Sequence, residues 1–337
     1  MRRRSGTLAG LGERGLLRSL RPYLARASSR LIIPAPDDDA AVWRIGSTRV
    51  VATVDTMVED IDFRRRWPGF DFRKLGRRLM TINLSDLAAM GATPRYALVS
   101  LALPRALSTW AIDRLYAGIA QQAQRFGCAI AGGDLSATRG PLTLTAAVFG
   151  ELPKGSRPLT RRGARAGWRI GVTGRLGSAA AGLKLLEGGR RPATPAERSW
   201  VRAQLEPVPR LEAAQILRRA GVRVAGDISD GLYREVEKIA EPAGLGAELW
   251  ADELPIEASL GRCHGVAAWR LALFDSEDYE LICAAPRRQL DTAAAALRAS
   301  TGLRLTQVGR LTREPGITLV RNGRRLRLRH GGFEHFR

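Results

Sequence analysis

The chain has 337 residues, 45% of them hydrophobic, enough for two domains of ordinary size with a core each, and no uninterrupted apolar run approaches the roughly 20 residues of a membrane span. Its net charge of +21 rests almost wholly on Arg, scattered in short clusters at Arg2–Arg4, Arg64–Arg66 and between Arg321 and Arg329 without interleaved aromatics to stack bases, so nucleic acid is not the expected partner. Cys128, Cys263 and Cys283 are odd in number and widely spaced, which argues against a disulfide framework or zinc site and suits a cytoplasmic protein, and Glu13, Arg14 and Arg18 break the apolar core a signal peptide would need.

Leu16, Leu17, Leu20 and Leu24 recur at helical spacing, predicting an amphipathic helix over residues 12–26. Gly10-Leu-Gly-Glu-Arg-Gly15 fits G-x-G-x-x-G, but no strand precedes it, which marks a chance match. Strands are expected at 41–45 and 49–54, joined by Gly46-Ser47, with Asp39 at one end of the pair and Asp55 at the other. A helix follows over 72–90, a strand over 96–103 closed by Pro104, and a helix over 109–126. A strand over 128–131 then ends in Gly132-Gly133-Asp134, before another over 142–150. Residues 153–167 are rich in Pro, Gly and Arg without periodicity and read as a linker dividing 1–152 from 153–337. The second half opens with a strand over 168–173 and a Gly-rich turn, Gly174 to Gly182, leading into a helix. Helices over 195–206 and 210–220 precede a strand over 222–226 aimed at Asp227, and a helix runs from Asp230-Gly231 to Glu241. Later strands are expected at 279–284, 304–308 and 317–320.

No Walker-type G-x-x-x-x-G-K-[ST] occurs, and the only histidines are His264, His330 and His335, which leaves little room for a His-bound metal or a Ser-His-Asp triad. What recurs is an acid at the end of an apolar run beside Gly, Ser or Thr. The clearest case is Asn83-Leu-Ser-Asp86-Leu-Ala-Ala-Met-Gly-Ala92, whose bland reading is Ser85 or Asp86 capping a helical turn closed by Gly91. Others are Asp38-Asp39, Asp55 after Val51-Ala-Thr-Val, Gly132-Gly-Asp134, Asp227-Ile-Ser-Asp230-Gly and Glu277-Asp-Tyr-Glu280. Strands ending in Asp would line carboxylates along a sheet edge. Converging carboxylates repel unless divalent cations join them, and Mg²⁺ completes its shell with phosphate oxygens.

These motifs, in this order over nearly the whole chain, resemble the thiamine-monophosphate kinase family of the aminoimidazole ribonucleotide synthetase-like superfamily. Also in the series are Gly12-Glu13, Val54-Asp55-Thr-Met-Val-Glu59, Leu159-Thr-Arg161, Val172-Thr-Gly174 and Gly332-Phe-Glu-His-Phe336. The resemblance implies an α/β (α+β) two-domain fold, with an N-terminal sheet-forming dimerisation domain and a C-terminal α/β domain. It implies ATP and several Mg²⁺ ions between the halves, a homodimer, and transfer of the ATP γ-phosphoryl to thiamine monophosphate. Carried over by position, Asp39, Thr53, Asp55, Asp86, Asp134, Asp227 and Asp230 are the implied metal ligands. Gly133, Asp134, Arg161 and Ser229 are the implied nucleotide contacts, and Asp62, Glu277 and Phe333 the implied thiamine contacts.

The chain departs from the family pattern mainly on the acceptor side. Asp62 stands where the family usually has His, Asp275-Ser276 where it has two glycines, and Leu135-Ser136 where two Thr usually follow the Gly-Gly-Asp. Side chains at 275 and 276 are expected to crowd a close backbone approach. Two alternatives stay open on the sequence: a superfamily member that uses ATP on another small acceptor, and a weakened basic binding protein on the same scaffold.

Overall fold

The computed structural model describes residues 7–23, 30–34, 37–274 and 276–328, and its strands form two sheets. Helix α1 (Leu8–Leu20) kinks at Gly12, whose φ of 65° disfavours any side chain; Leu24 lies outside the described residues. The first sheet takes β1 (Leu31–Ile33), β2 (Ala41–Ile45), β3 (Thr48–Val58), β4 (Thr93–Pro104), β5 (Ala129–Thr138) and β6 (Thr143–Glu151) in the order β1-β2-β3-β6-β4-β5. All neighbours are antiparallel except β4 with β5. Burial alternates along its central strands. Val51, Met57, Ala97, Val99, Leu144 and Ala146 face the core, while Val54, Thr56, Tyr96, Leu98 and Ser100 lie on the opposite, exposed face.

Helices α2 (Phe72–Ala89) and α3 (Thr109–Arg125) pack on the buried face, capped at their starts by Asp71 and Ser108. They cross closely because Gly76 and Gly118 meet there: a Cβ on either would lie 2.1 and 2.0 Å, respectively, from a backbone oxygen of the other helix.

The second sheet takes β7 (Arg169–Thr173), β8 (Val224–Asp227), β9 (Gly246–Trp250), β10 (Leu281–Ala285), β11 (Leu305–Thr312), β12 (Gly316–Arg321) and β13 (Arg324–Arg327) in the order β13-β12-β9-β11-β7-β10-β8. Around it lie α4 (Ser178–Glu187), α5 (Pro195–Leu205), α6 (Leu211–Arg219), α7 (Leu232–Ala240), α8 (Ala258–His264), α9 (Ala268–Phe274) and α10 (Arg287–Thr301). Helix α2 joins the halves. From Leu75 onward it is buried on nearly all sides, as a helix between two layers must be, and it contacts α6 and β8 as well as the first sheet.

Three expectations change. Ser85 and Asp86 are not N-caps but lie in the closing turns of α2, which runs on to Ala89. Strand β5 does not stop at Asp134: it pairs with β4 through Thr138, leaving Asp134 in mid-strand. The stretch 153–167 is more than a linker. Leu159 is fully buried and donates its N–H to Met90, while Thr160 pairs with Arg223 and Ala225, stitching the halves together. Only two apolar residues of that segment, Leu159 and Ala164, are buried, and two residues five apart leave no periodicity to read.

Candidate active site

Asp86 and Asp227 come from different halves and reach the same place. Residues 83, 85 and 86 of α2 present their side chains to β3 and β8. Asn83 Oδ1 accepts the Asp55 N–H at 3.1 Å, Thr53 Oγ1 donates to Asp86 Oδ2 at 2.5 Å, and Ser85 Oγ donates to Asp227 Oδ2 at 2.6 Å. Asp39, just before β2, completes the cluster: Asp39, Asp86 and Asp227 each offer a carboxylate oxygen within 4.8 Å of the others. Two charges at that separation repel by about 3.5 kcal/mol at an effective dielectric of 20. Asp39 Oδ2 and Asp227 Oδ1 are buried with no hydrogen-bond partner. Orphaned hard oxygens so close together fit a divalent cation such as Mg²⁺.

The titration of the cluster follows from its crowding. Burial pushes the Asp86 carboxyl well above the usual range, and Asp55, Asp227 and Asp39 push it further. Burial likewise raises Asp39, against the pull of Arg161, and raises Asp55 to about 6 with help from Asp227. Arg161 is the counterweight. Its guanidinium pairs with Asp39 and, at 3.2 Å, with Glu235, and its backbone N–H donates to both oxygens of Asp38 at 3.2 Å. Burial opposes its charge, yet Asp39 and Glu235 hold it protonated above the ordinary value. On α7, Lys238 donates to Asp230 at 2.9 Å and to Glu235 at 2.6 Å.

Two adjoining cavities make one cleft. The first, about 540 Å³, holds Asp38, Asp39, Thr53, Arg161 and Lys238 and opens over Ala52, Val54, Ala147 and Phe149. The second, about 240 Å³, holds Asp62, Arg78, Asp227, Asp230, Glu277 and Tyr279. Glu13, Asp55, Asp86 and Ser229 line both, so the carboxylate cluster sits between a wide end and a narrow end.

The AIR synthase related protein N-terminal domain matches residues 37–152, and the corresponding C-terminal domain matches 165–322. Thiamine-monophosphate kinase of Rhodopirellula baltica is 35% identical over 298 residues, which cover 83% of this chain and 84% of the relative. The chain belongs to the thiamine-monophosphate kinase family. Among solved structures, AaThiL complexed with AMPPCP and TMP superposes with a TM-score of 0.85 at 26% identity, covering 99% of this chain and 100% of that one. Thiamine-monophosphate kinase from Stenotrophomonas maltophilia superposes with a TM-score of 0.74 at 31% identity, covering 90% and 94%.

Of the positions carried over from the thiamine-monophosphate kinase family, Asp39, Thr53, Asp55, Asp86, Asp227, Asp230, Arg161 and Ser229 line the cleft. Asp62 and Glu277 line its narrow end, with Asp62 Oδ2 accepting the Val58 N–H at 2.7 Å. Gly133 and Asp134 do not line it. They lie on β5, the edge strand, where Asp134 is exposed and accepts from Ser136 Oγ at 2.9 Å. Pairing carries one row of residues from Thr56 through Thr145 and Ser100 to Asp134, three strands across. At about 4.8 Å per strand this is roughly 14 Å. Phe333 and Asp275 fall outside the described residues. Ser276 does not crowd the cleft: it is fully buried and absent from the lining, beside Asp278, which accepts from Gly177 and Ala179.

The sequence reading passed over Arg78 and Lys238, which line the cleft, and Glu235, which is buried behind it against Arg161 and Lys238. Spacing held the signal. Arg78 lies eight residues, about two turns, before Asp86 on α2, and Lys238 on α7 lies eight residues after Asp230, which precedes that helix.

Proposed function

We propose that the cleft binds ATP with several Mg²⁺ ions and transfers the γ-phosphoryl directly to the phosphate of thiamine monophosphate, giving thiamine diphosphate and ADP. The observation that carries this reading is the convergence of Asp39, Asp86 and Asp227 within 4.8 Å, with Arg161 at their side. The names of the relatives, and the TMP bound to AaThiL, supply the acceptor.

Asp39, Asp55, Asp86, Asp227 and Asp230 would hold the ions, with the Thr53 hydroxyl orienting Asp86. Bound there, the ions would neutralise charge on the phosphate oxygens. Arg161 offers a permanently charged fork of donors to the same oxygens. The acceptor's phosphate has a second pKa of about 6, so at neutral pH its oxygen is already anionic and requires no general base. That oxygen forms the new P–O bond as the bond from the γ phosphorus to the bridging oxygen breaks and ADP leaves. Ser229 is assigned to the nucleotide in this cleft, Gly133 to the nucleotide bound by a second copy, and Asp62, Glu277 and Phe333 to the thiamine moiety. The division into 1–152 and 153–337 is kept, with the cleft between.

Asp134 is assigned to a paired form of the protein. Val54, Tyr96 and Leu98 leave an exposed apolar face on the first sheet, 62, 58 and 43% accessible, beside the open edge of β5. A homodimer formed through that face would cover it and bring β5 of one copy against the sheet of the other. Light scattering that reports a monomer at micromolar concentration would count against this arrangement.

The test of the reaction is direct. Purified protein given ATP, Mg²⁺ and thiamine monophosphate is expected to release thiamine diphosphate, and chelating the metal is expected to stop it. Equal yields with and without chelator, or ATP turnover that ignores thiamine monophosphate, would remove the reading.

A further inference from the structure

Resting on the phosphoryl-transfer reading above, we infer that Arg78 is a positioning residue for the acceptor: it locks Glu277 so that one carboxylate oxygen is held by the protein and the other faces the cleft. Arg78 sits on α2, 3% exposed, and donates from Nη2 to Glu277 Oε2 at 2.7 Å. Gln204, at the end of α5, donates from Nε2 to that same oxygen at 2.8 Å. The other Arg78 fork arm, Nη1, donates to the Gln204 carbonyl, so the guanidinium clamps both the carboxylate and the segment that holds it.

Glu277 Oε1 is left with the Tyr279 hydroxyl at 3.4 Å, too long for a strong bond. The Glu277 side chain is 34% exposed and lines the narrow end of the cleft with Arg78, Asp62 and Tyr279. Tyr279 is itself held at φ 51°, a strained value for an aromatic residue. A cationic group entering here therefore does not meet a bare carboxylate. Arg78 already offsets that charge, and what remains on offer is one oriented acceptor oxygen. Such an oxygen selects a hydrogen-bond donor at a set position, as an amino group on a heteroaromatic ring would provide, in preference to any cation of the right size. The neutralising partner also explains how Glu277 and Asp62 share a small cavity.

The variants Arg78→Met, Arg78→Lys, Gln204→Met, Glu277→Gln and the Arg78→Met/Glu277→Gln double mutant test this. Steady-state kinetics is paired with calorimetric binding of thiamine monophosphate to protein holding Mg²⁺ and a non-hydrolysable ATP analogue. Arg78→Met is expected to weaken thiamine monophosphate roughly tenfold or more, in KM and in Kd, while KM for ATP moves less than about twofold. Arg78→Lys should recover part of the loss. The double mutant should be no worse than Glu277→Gln alone, because Arg78 acts through Glu277. Equal changes in both KM values, or additive losses in the double mutant, overturn the inference. Should Arg78→Met fail to fold, Gln204→Met removes one of the two bonds on Oε2 and is expected to raise KM for thiamine monophosphate alone; no change there overturns it equally. Wild-type protein that binds thiamine monophosphate without turning it over refutes the transfer reading only, whereas failure to bind it refutes this inference as well.

Discussion

Ser85 donates a 2.6 Å hydrogen bond to Asp227, tying a helix of the first half to a strand end of the second at the carboxylate cluster. The neighbouring residue of the same helix, Asp86, is the acid that meets Asp227 there. Ser85→Ala would leave Asp227 with both oxygens unpartnered, since Oδ1 has no partner already. The expected cost in the metal-free protein is about 1–3 kcal/mol, the usual penalty of an unsatisfied buried acceptor. Chemical denaturation without Mg²⁺ measures it, and the Mg²⁺ needed for half-maximal activity is expected to rise.

Asp86→Asn should separate stability from activity. The carboxyl of Asp86 is pushed up by burial and by three neighbouring acids, so its charged form is costly in the folded protein. Asn removes that charge and still accepts from Thr53. The metal-free variant is expected to melt higher than wild type, with the advantage shrinking once Mg²⁺ is added, and turnover is expected to fall by at least about 100-fold. A variant that keeps wild-type turnover would take Asp86 out of the reaction.

The pH dependence has a definite sign. Burial, and Asp227 after it, raises Asp55 from the ordinary 3.8 to about 6; burial raises Asp38 to about 6 as well, against Arg161. A group whose folded pKa lies above its unfolded value adds stability that is complete below about 4 and disappears as pH rises through 6. For Asp55 alone the difference amounts to about 3 kcal/mol. Metal-free protein should therefore become more stable as pH falls from 7 towards 5, followed by thermal melts. Protons compete with cations for the same oxygens, so Mg²⁺ affinity should weaken over that range. A metal-free melting temperature that falls steadily from pH 7 to 5 would contradict the sign.

Gly133→Ala probes packing at a position otherwise assigned to the nucleotide. A Cβ there would lie 1.7 Å from the Val99 carbonyl oxygen across the β4–β5 pair. The strands must part to admit it, at an expected cost of roughly 1–3 kcal/mol. The loss should be present in nucleotide-free protein by thermal melting. A variant that melts as wild type does and only binds ATP less tightly would give Gly133 a purely ligand-binding role.

Local pattern made much of this molecule readable. The strands around Gly46-Ser47, the helices over 72–90 and 109–126, and the strand aimed at Asp227 follow from hydrophobic period and turn residues, which act over a few neighbours. The ordered acids, too far apart to interact along the chain, carried the family and most of the cleft. Other features had no local signature. Ser85 and Asp86 look like caps because Ser and Asp commonly are; only the packing of α2 against both sheets makes them interior groups facing Asp227. Arg161 lies in a stretch without periodicity, and its place depends on Asp38, Asp39 and Glu235 arriving from elsewhere.

What the sequence determined by itself was many of the elements, though not β9, α8, α9 or α10, together with the family and the inventory of carboxylates. The tertiary structure alone decided which of those acids share a cavity, that Asp134 stays three strands away on an open edge, and that Glu277 comes already bound to Arg78. The reason is physical. Secondary structure answers to interactions between near neighbours, whereas the charge on a carboxylate answers to whatever other ions the fold brings within a few ångströms of it.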